Sequence, residues 1–167
     1  MSTLSVDTIQ GQTTAANVKL PAGSVIQTQR TYIAEATDTT AKTTSTSLVA
    51  SGIQCTITPR FSNSLILVDF HSGMANSGSS DIVKAIMYLK IGSASIAAMP
   101  GSNQYHIGFQ RYDKARYSPF VFSGSYTATS TDTLVFEPYF HCQFGNNAVH
   151  LIHDDGSISL TATEISQ

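Results

Sequence analysis

The side chains best suited to metal binding lie in the last third of the chain. They are three histidines, one cysteine and two aspartates: His141, Cys142, His150, His153, Asp154 and Asp155. Local zinc sites use spacings such as Cys-x-x-Cys or His-x-x-x-His, and no pair in this set has one. The adjacent His141 and Cys142 point to opposite faces of a strand. We predict no metal and no cofactor, unless three subunits bring one histidine each to a shared axis.

Hydrolytic chemistry has equally little support. No Gly-x-Ser-x-Gly elbow is present, and with 22 Ser and 20 Thr a Ser/His/Asp combination carries no signal. The only glutamates are Glu35, Glu137 and Glu164, and no convincing carboxylate pair for glycoside hydrolysis appears. We predict that the chain has no catalytic residues and is not an enzyme.

The composition bounds the fold and the partners. At 167 residues, with 41% hydrophobic but only 12% charged residues, the chain predicts one β-rich domain with an appendage. A formal charge of −2 does not indicate a basic surface for nucleic acid, and no stretch of residues is long and apolar enough to span a membrane. No secretory signal is visible, so we expect assembly in a cytoplasm and two reduced, buried cysteines, Cys55 and Cys142. A disulfide bond between the two cysteines is kept as an alternative.

Residues 1–27 are predicted to form an N-terminal attachment arm, with residues 28–167 forming the domain. The arm has two short alternating apolar pieces and cannot bury them within itself. Its predicted docking residues are Leu4, Val6, Ile9, Val18, Leu20, Val25 and Ile26. The alternative is that this segment supplies the first two strands of the domain.

The remaining chain predicts about eight or nine strands in an all-β, antiparallel, jelly-roll-like sandwich. Gln27, Gln29 and Thr31 are expected to face outward, and Ser47 to Ile57 alternates well enough for a strand that is interrupted by Gly52. The apolar run from Ser64 to Phe70 should be covered on both faces, which hints at a second subunit, and Met74 to Asp81 should be a loop.

Residues 83–91 alternate with a period of two and predict a strand, although a short helix also fits part of the pattern. Asp155-Gly156 suits a type I′ turn, which predicts a final hairpin. That hairpin would pair Leu151 with Leu160, Val149 with Ala162 and His153 with Ile158, placing all six on one face.

Aromatic side chains are concentrated between Tyr105 and Phe144, and most of these rings should fill the core. The stretch from Arg111 to Tyr117 carries four charged residues and is the best candidate for exposure. Because Tyr and Arg make good anchors, we predict a possible receptor surface there. Its members are Arg111, Tyr112, Lys114, Arg116 and Tyr117; Tyr105 and His106 are weaker candidates.

Three segments give the chain a family resemblance: the opening Leu-Ser-Val-Asp-Thr-Ile-Gln-Gly…Lys-Leu-Pro-Ala-Gly-Ser-Val-Ile-Gln, residues 56–68, and residues 159–167. The chain resembles short tail-fibre-like virion proteins of marine bacteriophages of cyanobacterial and pelagic hosts. The resemblance covers about a third of the chain and excludes residues 72–145. It implies a virion component, a homotrimer whose arm engages other virion proteins while the β domain faces a host receptor or glycan.

Two alternatives to the tail-fibre hypothesis stay open. One is a capsid decoration, cement or capsid-fibre protein, which differs only in its place on the particle. The other is a monomeric carbohydrate-binding module, which would bind saccharide independently of residues 1–27.

Overall fold

The computed structural model describes residues 21–34, 41–77, 83–100, 105–107, 116–145, 148–151 and 157–167. All regular elements in these ranges are strands, and none of these residues belongs to a helix that could cross a membrane. The strands are β1 (Val25–Ile33), β2 (Lys42–Thr43), β3 (Val49–Ala50), β4 (Cys55–Ile57), β5 (Leu65–Ser77), β6 (Val83–Ile91), β7 (Ala97–Ala98), β8 (Tyr105–Ile107), β9 (Arg116–Thr127), β10 (Leu134–Cys142), β11 (Val149–His150) and β12 (Ile158–Ile165).

The strands form two antiparallel six-stranded sheets. Sheet A has the order β1-β12-β5-β11-β2, with β9 on the other edge of β5. Sheet B has the order β3-β10-β6-β7, with β4 also on β10 and β8 also on β6. From β4 onward the chain crosses repeatedly between the sheets, for example from β8 to β9 and from β9 to β10. The predicted all-β antiparallel sandwich is confirmed.

The core lies between the two sheets and is built by alternation along the strands. In β12, residues 158, 160, 162 and 164 are buried while their neighbours are half-buried, and β10 buries Leu134, Phe136 and Phe140 in the same way. Phe70 of β5 and Phe120 of β9 meet edge to face, with ring centroids 5.6 Å apart. Because these side chains are fully removed from water, their burial is the main stabilising contribution to the fold.

The strand predicted for residues 83–91 is confirmed as β6, and the interruption predicted at Gly52 separates β3 from β4. The predicted loop from Met74 to Asp81 is wrong in its first part, because β5 continues to Ser77. A Gly/Ser/Asn composition is typical of loops, but here the backbone of residues 75–77 pairs with β9, and that pairing overrides composition.

The predicted final hairpin is wrong. Leu160 pairs with Thr31 of β1 on one side and Phe70 of β5 on the other, so Leu151 cannot pair with it. β11 and β12 both run antiparallel to β5 and follow one another along the same edge of that strand. The chain therefore does not reverse direction between them.

The companion pairing of Val149 with Ala162 fails for the same reason, and His153 lies outside the described residues. β1 and β5 each occupy eight positions of β12, which outweighs the local preference of an Asp-Gly turn. The apolar pattern was nevertheless informative, since Val149, Leu151, Ile158, Leu160 and Ala162 are all buried.

The expected outward orientation of Gln27, Gln29 and Thr31 is also wrong. Their partners in β12 are buried residues of its inner face, so all three side chains lie on the inner face of β1, although Gln29 stays exposed. Gln27 and Thr31 are half-buried and turn toward β4, where the Thr31 hydroxyl donates to the Gln54 carbonyl at 2.6 Å. β1 is the edge strand of sheet A, so its inner face is only partly covered. Polar side chains there bond to the neighbouring backbone across the open side of the sandwich.

Candidate functional site

One end of the sandwich, here called the arm end, brings together the point where the chain enters the domain and the point where it leaves. A single row across sheet A joins Val25 to Ile165, Ile165 to Leu65, and Leu65 to Thr127. The predicted attachment arm therefore joins the domain at this row, next to the C-terminal residues.

Two backbone hydrogen bonds, here called the clasp, join the chain where it enters the domain to the chain where it leaves. The Gly23 N–H donates to the Ser166 carbonyl at 2.8 Å, and the Ser166 N–H donates to the Ser24 carbonyl at 2.9 Å. Gly23 has φ of +86°, a conformation that glycine adopts without steric cost. Residues from 23 onward thus belong to the folded domain.

Glu164, on the inner face of β12, is the buried centre of the arm end, with 0% exposure. Its carboxylate accepts hydrogen bonds from the Arg60 N–H at 2.8 and 3.0 Å, the Phe61 N–H at 3.3 Å and Gln27 Nε2 at 2.7 Å. Charged acceptors make stronger hydrogen bonds than neutral ones, and a buried charge needs such partners. Glu164 therefore fixes the β4–β5 turn of the arm end to sheet A.

An open groove of about 430 Å³ lies beside this carboxylate. It is lined by Gln27, Thr58, Pro59, Arg60 and Thr131. The Gln27 amide bonds both the Thr58 carbonyl and Glu164, each at 2.7 Å, so one wall of the groove is held in place. The groove adds a polar surface next to the entering chain.

The structure locates two of the predicted docking residues. Val25 and Ile26 lie in β1; Val25 is 58% exposed and Ile26 is half-buried. The others lie outside the described residues: Leu4, Val6, Ile9, Val18 and Leu20.

The predicted receptor surface begins at the opposite end of sheet A. The backbone of Arg116, at the start of β9, pairs with Ser77 at the far end of β5. β5 has 13 residues, and at about 3.3 Å per residue it places Arg116 roughly 40 Å from the row that contains Leu65. Residues 111–115, and with them Arg111, Tyr112 and Lys114, lie outside the described residues, as do the side chains of Arg116 and Tyr117.

The residues considered as metal ligands are not assembled in the described part of the chain, where no group of three or more candidate ligands occurs. His141 is half-buried on the outer face of β10 while Cys142 is buried on the inner face. His153, Asp154 and Asp155 lie outside the described residues.

Both cysteines are buried thiols, as expected. Cys55 pairs with Phe136 of β10, six residues before Cys142, so the two are roughly 20 Å apart along the strand. A disulfide needs Cα atoms within about 7 Å, which excludes the bridge. Burial raises the pKa of the Cys55 thiol, although bonds from the backbone at Ala162 and Thr31 oppose the shift.

A second buried carboxylate, Glu137, lies on the outer face of β10 and is 3% exposed. It accepts hydrogen bonds from the Gly52 N–H at 2.9 Å and from Gln54 Nε2 at 2.8 Å. Sequence reasoning missed both carboxylates. For Glu164 the signal was present, because it continues the apolar positions Leu160 and Ala162 at a spacing of two.

Comparison with known proteins gives a structural likeness alone. No protein-family model matches the chain, and no curated protein matches it. The chain is similar to a chain in the structure of infectious bursal disease virus, Gx strain, with a TM-score of 0.42 and 15% identity. The match covers 83% of this chain and 32% of that chain, so this chain spans about a third of the length of that structural neighbour.

Proposed function

We propose that the chain is a non-enzymatic structural protein of a bacteriophage particle, of tail-fibre-like type. In this proposal the N-terminal arm, whose last residues from Gly23 onward are held on the domain, anchors the chain to other virion proteins, and a trimeric sandwich is displayed for host attachment. The virion is its final location, after assembly in the host cytoplasm. The supporting observation is the separation of roughly 40 Å between the arm end and the start of β9.

That separation suits a protein which is held at one end and makes contact at the other. The clasp between Gly23 and Ser166 ties the arm to the domain, and Glu164 stiffens the same end. The backbone of Arg116 and Tyr117, the described part of the predicted receptor surface, lies at the far end, where β9 begins. Three copies on one axis would present weak receptor contacts at a high effective concentration.

The outer face of sheet A supplies apolar surface for contacts between copies. Leu67 is 37% exposed and Val121 is 61% exposed on this face. Ser64 to Phe70 was expected to be covered on both faces, and within the described residues the outer side of Leu67 stays open. A neighbouring subunit would remove this surface from water, which favours association.

Location on the particle tests the proposal directly. An antibody raised against the purified chain is bound to intact particles of the encoding phage and imaged by immunogold electron microscopy. We expect label on the tail. Label spread over the capsid would instead support the decoration or capsid-fibre alternative, and unlabelled particles would contradict any virion role.

A truncated chain that lacks residues 1–20 tests the arm. This boundary keeps β1 and the Gly23–Ser166 clasp, so we expect an unchanged cooperative thermal transition but loss of incorporation into particles. Loss of the transition would instead show that the segment belongs to the folded domain. A matched control carries a tag after Gln167, which lies at the same end and leaves the arm intact.

The solution mass tests the trimer. Three chains of 17.8 kDa give about 53 kDa by light scattering, and we expect this value for the full chain. A mass near 17.8 kDa combined with saccharide binding that is independent of residues 1–20 would favour the monomeric carbohydrate-binding module.

A further inference from the structure

Two tyrosines stack on the outer face of sheet B. Tyr88 of β6 and Tyr139 of β10 have ring centroids 4.0 Å apart and planes inclined by 18°. Directly opposite pairs are Tyr88 with Glu137 and Tyr139 with Ile86, so the two rings reach each other diagonally across the strands. Such cross-strand aromatic contacts stabilise a sheet and hold both side chains in fixed positions.

The hydroxyl groups of this pair are available for a ligand. Within the part of the chain that the structure describes, neither phenol has a hydrogen-bond partner. Burial raises the pKa of Tyr139, and the Glu137 carboxylate and Tyr88 add to the shift, so its hydroxyl stays protonated at neutral pH. Each hydroxyl can donate one hydrogen bond and accept others.

Lysines flank the tyrosine pair along β6. Lys84 and Lys90 lie on the same face as Tyr88, and Lys84 is opposite His141 of β10. Among the described residues no carboxylate forms an ion pair with either lysine. The neighbouring Glu137 is already bonded to Gly52 and Gln54, so the face carries two unpaired cations.

We propose that this surface, the Tyr88–Tyr139 patch with Lys84, Lys90 and His141, binds an anionic polysaccharide. Sugar hydroxyl groups can hydrogen-bond to the phenols, and the acidic groups of the sugars can pair with the lysines. The two lysines are six residues apart on β6, or roughly 20 Å, which suits a chain of several sugars.

The geometry disfavours two other anionic partners. Peptides that bind sheets usually add a strand at an edge, whereas β6 and β10 are paired on both sides. Single-stranded nucleic acid stacks its bases on open ring faces, but here one face of each ring is closed by the other ring.

Titration calorimetry of the full chain tests the patch with four probes: oligogalacturonate, a sulfated dextran fragment, neutral dextran of equal length, and poly-glutamate as a polyanion without sugar rings. We expect binding of at least one acidic probe and none of neutral dextran. Comparison of the two acidic probes shows whether the site prefers carboxylated or sulfated sugars. Replacing both lysines, Lys84→Gln and Lys90→Gln, should weaken binding about tenfold, because two exposed charge pairs are lost.

A matched control lies on sheet A, where the Arg30 guanidinium packs 4.8 Å above the Tyr32 ring. The double variant Arg30→Gln, Tyr32→Ala also removes a cation and an exposed tyrosine, and we expect it to bind like the unchanged chain. Tyr139→Phe keeps the stack but removes one hydroxyl, so it should weaken binding by a few-fold.

Four results would overturn the proposal: no binding of either acidic probe, equal binding of neutral dextran, equal loss in the sheet A control, or binding of poly-glutamate as tight as that of the polysaccharides. Circular dichroism melting of each variant separates lost contacts from lost folding. The proposal concerns the isolated domain, so its failure leaves the particle location to be decided by the immunogold experiment.

Discussion

The two buried carboxylates hold opposite ends of the same short strand. Glu137 of sheet B bonds residues 52 and 54, just before β4, while Glu164 of sheet A bonds residues 60 and 61, just after it. β4 has three residues and, among the described strands, pairs with β10 alone, so its ladder is short. Hydrogen bonds to the two carboxylates therefore hold the residues before and after β4 in place, where its short ladder does not reach.

The difference between them is which parts of the fold they join. Glu164 connects sheet A to a turn that follows a strand of sheet B, so its bonds help close the sandwich. Glu137 bonds a loop of its own sheet and supports the outer face beside Tyr88 and Tyr139. We infer that Glu164 contributes mainly to global stability, and Glu137 mainly to the local shape of the patch.

The largest expected effect is that of Glu164→Ala. It leaves the N–H groups of Arg60 and Phe61 without their buried acceptor and should lower the free energy of unfolding by roughly 3 kcal/mol. Urea unfolding followed by circular dichroism measures the change. A loss below about 1 kcal/mol would contradict the closing role, because water would then replace the carboxylate at little cost.

Glu137→Ala should cost less, about 2 kcal/mol, because only two hydrogen bonds are lost and the outer face is closer to solvent. The same urea experiment applies. If the two losses were equal or reversed, the distinction between a closing and a supporting carboxylate would fail.

The glutamine side chains that donate to the two carboxylates allow a second comparison of their contributions to stability. Gln27→Ala and Gln54→Ala each remove one side-chain donor, from Glu164 and Glu137 respectively, and each should cost about 1 kcal/mol. Gln27 also bonds the Thr58 carbonyl, so its replacement should be the more costly of the two. Thermal melting of both variants side by side gives the order, and a cheaper Gln27 variant would go against it.

The smallest effect concerns pH. The pKa of Tyr139 is raised in the folded state, so the neutral phenol contributes stability that is complete below its ordinary value of about 10 and is lost as the pH rises through the folded value. Glu137→Gln should lower that pKa, although burial, the larger cause, remains. Ultraviolet titration of the phenolates measures this, with Tyr139→Phe as the control that assigns the signal.

Local patterns in the sequence predicted the elements better than their partners. The alternation in residues 83–91 gave β6, and Gly52 gave the break between β3 and β4, because period and backbone freedom are local properties. The neighbours of β12 were missed, since β1 lies more than a hundred residues earlier and no local signal reports that pairing.

The same distinction between local and long-range signals applies to the candidate functional surfaces. Composition indicated an aromatic band, and Phe120, Phe122, Phe136 and Phe140 do fill the core. The stacking of Tyr88 on Tyr139 depends on the β6–β10 register, which residue types alone do not determine. Glu164 could have been predicted as inward-facing from its spacing, but its donors from the β4–β5 turn could not.

The clasped entry of the chain also has a mechanical consequence. A pull on the residues before Val25, directed away from the far end of the sandwich, acts along β1 and therefore along its ladder with β12. The eight paired positions of that ladder would be loaded together in shear rather than opened one after another. The domain should therefore resist axial tension better than a sideways pull that peels the edge strand away, and single-molecule force spectroscopy from the two directions would measure the difference.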